Sequence, residues 1–303
     1  MVEADGAERY CIACQHNRTI PDLSLPENRT DWQKVEEAKR RLFYGLIKLR
    51  LPMPTLAQGA PEPLVFDFLA EAPGHKPVLT GHDNGMITIA LKEANDAKRE
   101  AARLSLGEGY RTLLGHFRHE VGHYYWDMLV RDDPEELEPC RALFGDDRQD
   151  YSEAVQRHYN DGPTAGWQQS YVSAYATMHP WEDWAETWAH YMHIIDTLEM
   201  GGAFGISIAP EIGARRDLGT AIAFNPYRPV PMERLIEAWL PLTYAVNCLN
   251  RSMGQPDLYP FVLPRPVIDK MAYIHRLIHR HAEGQPPPHM QEAECHAPDL
   301  AEP

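Results

Sequence analysis

The sequence predicts an α+β fold, with a short sheet placed early and a mainly helical body behind it. Three observations carry this reading. Two β-forming runs, Leu64–Glu71 and Met86–Leu91, lie in the first third of the chain. From Glu93 onward, apolar residues recur mostly at helical spacing. No repeat of solenoid length is present.

Taken in order, the chain opens with an N-terminal extension over residues 1–28 that contains Cys11-Ile-Ala-Cys14. The stretch from Asp31 to Leu51 is amphipathic, with Trp32, Val35, Leu42, Leu46 and Leu49 on its apolar side. Pro52 and Pro54 end it. LVFDFLAE (Leu64–Glu71) alternates like a strand, and MITIAL (Met86–Leu91) follows a turn written Gly81-His82-Asp83-Asn84-Gly85. Helices are then expected near Glu93–Leu106, Tyr110–Arg131, Glu135–Leu143, Tyr151–Asn160, Trp167–Thr177, Trp181–Glu199, Met232–Asn250 and Pro266–His281. Gly201 to Tyr227 reads as a long loop or lid. Residues 29–282 therefore form one body, and 283–303, rich in proline without apolar periodicity, read as a disordered tail.

Composition narrows the function. The 303 residues are 44% hydrophobic and carry 29 Lys and Arg against 44 Asp and Glu, a net charge of −15. That excess argues against nucleic acid and against an anionic membrane surface as partners. The most apolar stretch, beginning at Leu235, is interrupted by Glu237 and Pro241 and is no membrane span. An acidic N-terminus without an apolar core shows no signal peptide, and five cysteines fit a reduced, cytoplasmic protein.

The sharpest motif is His119-Glu120-Val121-Gly122-His123. Histidines four apart on a helix aim at one point, and Glu120, about 100° round, reaches a metal-bound water without ligating. Leu113, Leu114, Phe117, Val121, Tyr124, Tyr125, Trp126 and Leu129 surround the pair, so the helix is expected to be buried. Buried histidines need partners, and zinc supplies one. A third ligand must come from elsewhere. His179-Pro180-Trp181-Glu182-Asp183-Trp184-Ala185-Glu186 offers two glutamates four apart among tryptophans, a spacing that favours a cation to face.

HExxH followed downstream by a helical ExxxE resembles the gluzincin arrangement of thermolysin and anthrax lethal factor. The strings NRTIPDL, TGHDNGMITIAL, YRTLLGHFRHEVGHYYWD, LFGDDRQDY and VSAYATMHPWEDWAETWAHY together resemble a bacterial family of zinc-binding metallopeptidases, over roughly Cys11 to Thr197 and more weakly to about residue 280. The resemblance implies a zincin-like fold with Zn²⁺ as cofactor, and brings no substrate, because the family's own activity is inferred. It implies His119, His123 and Glu182 as ligands, Glu120 as base and Glu186 as the outer acid. The lethal-factor-like pattern also carries a tyrosine seven residues before the ligand glutamate, here Tyr175, as oxyanion donor; His179 is the alternative. Family members begin with a cysteine-rich zinc ribbon, of which Cys11 and Cys14 read as a remnant; with His16 as a third ligand they are candidates for a structural metal.

Weaker signals complete the expectations. Asp127, four beyond His123, is a candidate to hold that ring or a surface acid, and His116 a cleft residue. Asp146, Asp147 and Asp150 lack a calcium-loop continuation and read as a helix start. Lys39-Arg40-Arg41 decorates a helix, and Met86–Leu91 is a candidate edge strand for an extended substrate. Two function classes result: a zinc-dependent peptidase acting on a peptide or protein through a water activated by Glu120, or a non-catalytic zinc-binding or interaction module. Glu120 favours the first, since a closed structural site has no use for it.

Overall fold

The computed structural model describes residues 10–71, 74, 77–106, 111–211 and 218–283. Residues 1–9 and the expected Pro-rich tail beyond Glu283 lie outside the described residues.

β1 (Asn17–Thr19) precedes α1 (Pro26–Lys48), whose first turn takes Pro26 without loss because that N–H has no helical partner. β2 (Val65–Leu69), β3 (Gly81–Asp83) and β4 (Met86–Ala90) complete a four-stranded sheet of order β1-β2-β4-β3. β1, β2 and β4 run parallel, and β3 is antiparallel to β4. Behind the sheet come α2 (Asp96–Leu106), α3 (Leu113–Trp126), α4 (Pro134–Phe144), α5 (Tyr151–Asp161), α6 (Pro180–Ala203), α7 (Met232–Ser252) and α8 (Arg265–Glu283). The fold is α+β, mainly helical with a small sheet.

Five expectations need correcting. The boundary after residue 28 falls inside α1, and β1 is already a sheet strand, so residues 10–28 are not a separate extension. Gly81–Asp83 is a strand, because Asn84 (φ 47°) and Gly85 (φ 83°) form a two-residue hairpin turn that obliges the residues before it to pair with β4. β4 is consequently interior, and β3 holds the edge that Met86–Leu91 was expected to hold. Trp167–Thr177 is not a helix but two short 3-10 turns, Trp167–Gln169 and Tyr175–Thr177. There the Ser173 hydroxyl accepts from Ala176 N at 3.1 Å, a local bond that competes with helix formation. Within the expected loop Gly201–Tyr227, α6 continues to Ala203, and β5 (Ser207–Ile208) pairs antiparallel with β6 (Thr220–Ala221).

α3 and α6 form the centre of the body, and Gly122 sets their approach. A Cβ at Gly122 would lie 3.0 Å from Ala185 Cα and 3.2 Å from Trp188 Cβ, while Trp184 Nε1 donates to Gly122 O at 2.8 Å. Trp184 and Trp188 are fully buried with Tyr125, whose ring stacks on Trp188. That packing brings the first turn of α6 against the middle of α3. Among the described residues, no helix is long and apolar enough to cross a membrane.

Candidate metal centre

α3 starts at an N-cap, Thr112, whose hydroxyl accepts from Gly115 N at 3.0 Å. Two turns later His119, Glu120 and His123 face α6. His119 and His123 Nε2 lie 3.1 Å apart, and Glu182 brings Oε2 to 3.0 Å from His119 Nε2 and Oε1 to 3.5 Å from His123 Nε2. One ligand atom from each of the three falls within 4.8 Å of the others, the one such group among the described residues. Glu182 Oε2 is buried yet makes no hydrogen bond.

A carboxylate only accepts, so the 2.8 Å contact between His119 Nδ1 and Glu186 Oε1 places the proton on Nδ1 and turns the Nε2 lone pair to the cluster. Ser173 Oγ donates to the other Glu186 oxygen at 2.6 Å. Burial alone would depress His119, but the carboxylates of Glu182 and Glu186 beside it raise it well above the usual imidazole range. Against its burial, Glu182 is held well below the carboxylate range by His123 and His119. The point where the three side chains meet therefore attracts positive charge. Two imidazole nitrogens and one carboxylate, one oxygen of which is buried without a hydrogen bond, are a donor set that fits zinc. Glu120 is buried beside it; burial lifts its carboxyl to about 7, with His119 opposing and Glu182 and Glu186 adding to the rise.

Residues 28–277 match the family described as "Putative zinc-binding metallo-peptidase". The chain belongs to this family. Uncharacterised proteins of Mycobacterium tuberculosis, from strains CDC 1551 and H37Rv, and of Mycobacterium bovis are each 43% identical over 289 residues, spanning 95% of this chain and 82% of theirs. No solved structure matches the chain.

Other expected site residues of this family member sit as follows. The Tyr175 ring lies 5.9 Å from that of His119, and its phenol is raised well above its ordinary value, by burial first and then by Glu182. His179 is not aimed at the cluster: Nδ1 caps α6 by accepting from Trp181 N at 3.1 Å, and Nε2 donates to Gln149 O at 3.1 Å. Asp127 does not hold His123 either. A π-helical turn begins at Asp127, its carboxylate faces Arg131 at 3.5 Å and His82 at 3.8 Å, and His123 Nδ1 has no hydrogen-bond partner. His116 is held 3.2 Å from Glu93, and Asp150 caps α5 by accepting from Glu153 N at 2.8 Å.

Cys11 and Cys14 stand 3.4 Å apart, Sγ to Sγ. Cys14 points to Glu36, which is already paired with the buried Lys39 at 2.6 Å, so Lys39 is no surface decoration. His16 turns away, its Nδ1 2.7 Å from Leu64 O, and no third metal ligand joins the thiols among the described residues.

Sequence reasoning missed three neighbours of the cluster. Tyr151 donates to Glu182 Oε1 at 2.7 Å and is hydrogen-bonded in turn to Tyr175. Trp181 covers His123, ring centroids 3.8 Å apart, and the His82 ring lies 6.3 Å beyond His123. LFGDDRQDY held Tyr151 in plain view, as the first residue of a helix; nothing local tied it to a glutamate 31 residues on.

Proposed function

We propose that the chain is a zinc-dependent metallopeptidase of the gluzincin kind on a zincin-like fold, acting on a peptide or protein. The observation that carries the reading is the meeting of His119, His123 and Glu182 beside a buried, non-ligating Glu120. A structural site would close with four ligands and would have no use for that fourth, acidic side chain. Glu186, braced by Ser173, orients His119.

Bound at the three ligands, zinc would polarise a carbonyl and bring the pKa of a water to roughly 7. Glu120 takes the proton of the attacking water and hands it to the departing amine, a task that suits a carboxyl whose burial has brought it near neutrality. As the scissile carbonyl oxygen becomes anionic, the Tyr175 phenol, still protonated, donates to it. Trp181 shields the far side of His123 from water.

A broad peptide-library digest by wild type and Glu120→Gln tests this reading. Cleavage by wild type that falls by orders of magnitude in a zinc-loaded Glu120→Gln supports it. Equal action of the two on every peptide overturns it in favour of a non-catalytic zinc-binding module.

A further inference from the structure

We propose that Lys270, on α8, is a positioning residue for the segment that carries Ser173 and Tyr175 to the metal centre; the proposal rests on the metallopeptidase reading above. Lys270 is buried. Its ammonium donates to Asp183 Oδ2 at 2.6 Å and to Ser170 O at 2.8 Å, and stands 4.4 Å from the centre of the Tyr171 ring. Their side chains are 6% and 1% exposed, so both charges have left water. Asp183 follows the ligand Glu182 directly, and its other oxygen accepts from Thr187 at 3.5 Å.

Stability is a poor account of such a pair. Desolvating an ammonium and a carboxylate costs about as much as their attraction returns, and an apolar pair of similar volume would join α6 to α8 at least as well. An apolar pair lacks one property: it cannot direct a backbone carbonyl. Between Gln169 and Tyr175 the chain has no helix or strand to fix its path. Lys270 fixes it at Ser170. Three residues on, Ser173 Oγ donates to Glu186 Oε2, which in turn steadies His119. Two further on, Tyr175 lies against the His119 ring and meets Tyr151. One cation on α8 thus ties the ligand-bearing turn of α6 to the loop that completes the site.

The test pairs Lys270→Met with Asp183→Leu in the full chain, so that no charge is left buried alone. The expected double variant folds and binds one zinc within about threefold of wild-type affinity, but amide exchange across residues 170–177 rises about tenfold or more. On a peptide that wild type cleaves, kcat falls about tenfold or more while KM moves less than about threefold, as displaced groups cost turnover before binding. Unchanged exchange over 170–177 together with unchanged kcat overturns the proposal. If wild type cleaves no peptide, the peptidase reading fails by itself, and exchange alone decides the role of Lys270. Should that double variant not fold, Lys270→Met paired with the near-isosteric Asp183→Asn replaces it, which still removes the bond to Ser170 O: faster exchange confined to 170–177 supports the tether, and wild-type exchange there overturns it.

Discussion

Gly122→Ala should weaken zinc binding without touching a ligand. The new methyl carbon would meet Ala185 Cα at 3.0 Å and Trp188 Cβ at 3.2 Å, against about 3.5–4.0 Å for comfortable carbon contacts. Neither atom is the end of a flexible side chain, so α6 must retreat from α3 by roughly half an ångström at this level. Two effects oppose each other in stability. Alanine gains about 1 kcal/mol over glycine in a helix interior, whereas overpacking a close contact costs about 1–3 kcal/mol. The balance is a loss of up to about 2 kcal/mol, a fall in Tm of a few degrees for a chain of this size. The metal centre is more sensitive. Zinc ligand distances tolerate about 0.2 Å, and Glu182 rides on α6 while His119 and His123 ride on α3. A shift of that order should cost about tenfold in zinc affinity, or roughly 1.4 kcal/mol. Chelator competition and a thermal melt read the two effects separately. A higher Tm with unchanged zinc affinity would refute the claim that this glycine sets the approach of the ligand-bearing helices.

Further outcomes follow from the same contacts. Glu186→Gln keeps the size of the side chain but weakens its hold on His119 Nδ1, and should lower zinc affinity about 10–100-fold by chelator competition. Tyr175→Phe should keep zinc and Tm while turnover drops about 10²–10³-fold; Tyr151→Phe, which frees Glu182 Oε1, should instead alter zinc affinity, and the reverse pattern would exchange their roles. Glu93 gives a pH signature. Burial would raise its carboxyl, but His116 and Arg111 outweigh burial and hold it at about 2, below its ordinary 4.5. A depressed carboxyl contributes stability that is fully present above its unfolded value and is lost as pH falls toward the folded one, here about 2 kcal/mol by pH 3. Melts of wild type and Glu93→Gln between pH 6 and pH 3 should therefore converge, and parallel curves would contradict it.

The parts of the site that share one element were legible in the sequence, because helical spacing alone places His119 and His123 on one face. Glu182 and Glu186 lie more than 55 residues downstream; their spacing suggested a cation, but only likeness to other chains linked them to the histidines. Contacts that join distant elements left no local trace. Lys270 reads as an ordinary basic residue on an amphipathic helix, and its Asp183 partner as one acid in an acidic run. Short strands were equally silent: β1 and β3 have three residues each, too few for alternation to register. His179 and Asp127 were misread for a shared reason. Both stand at the right number of residues from a ligand, but a helix cap claims the first and a π-helical turn with Arg131 the second.

Metal analysis of the purified full chain tests the central claim most directly. Wild type and Glu120→Gln should each carry one zinc per chain, and His119→Ala and Glu182→Ala, folded by circular dichroism, should carry none after dialysis against a weak chelator. Zinc retained in full by both ligand variants, or absent from wild type grown with zinc, would contradict the account.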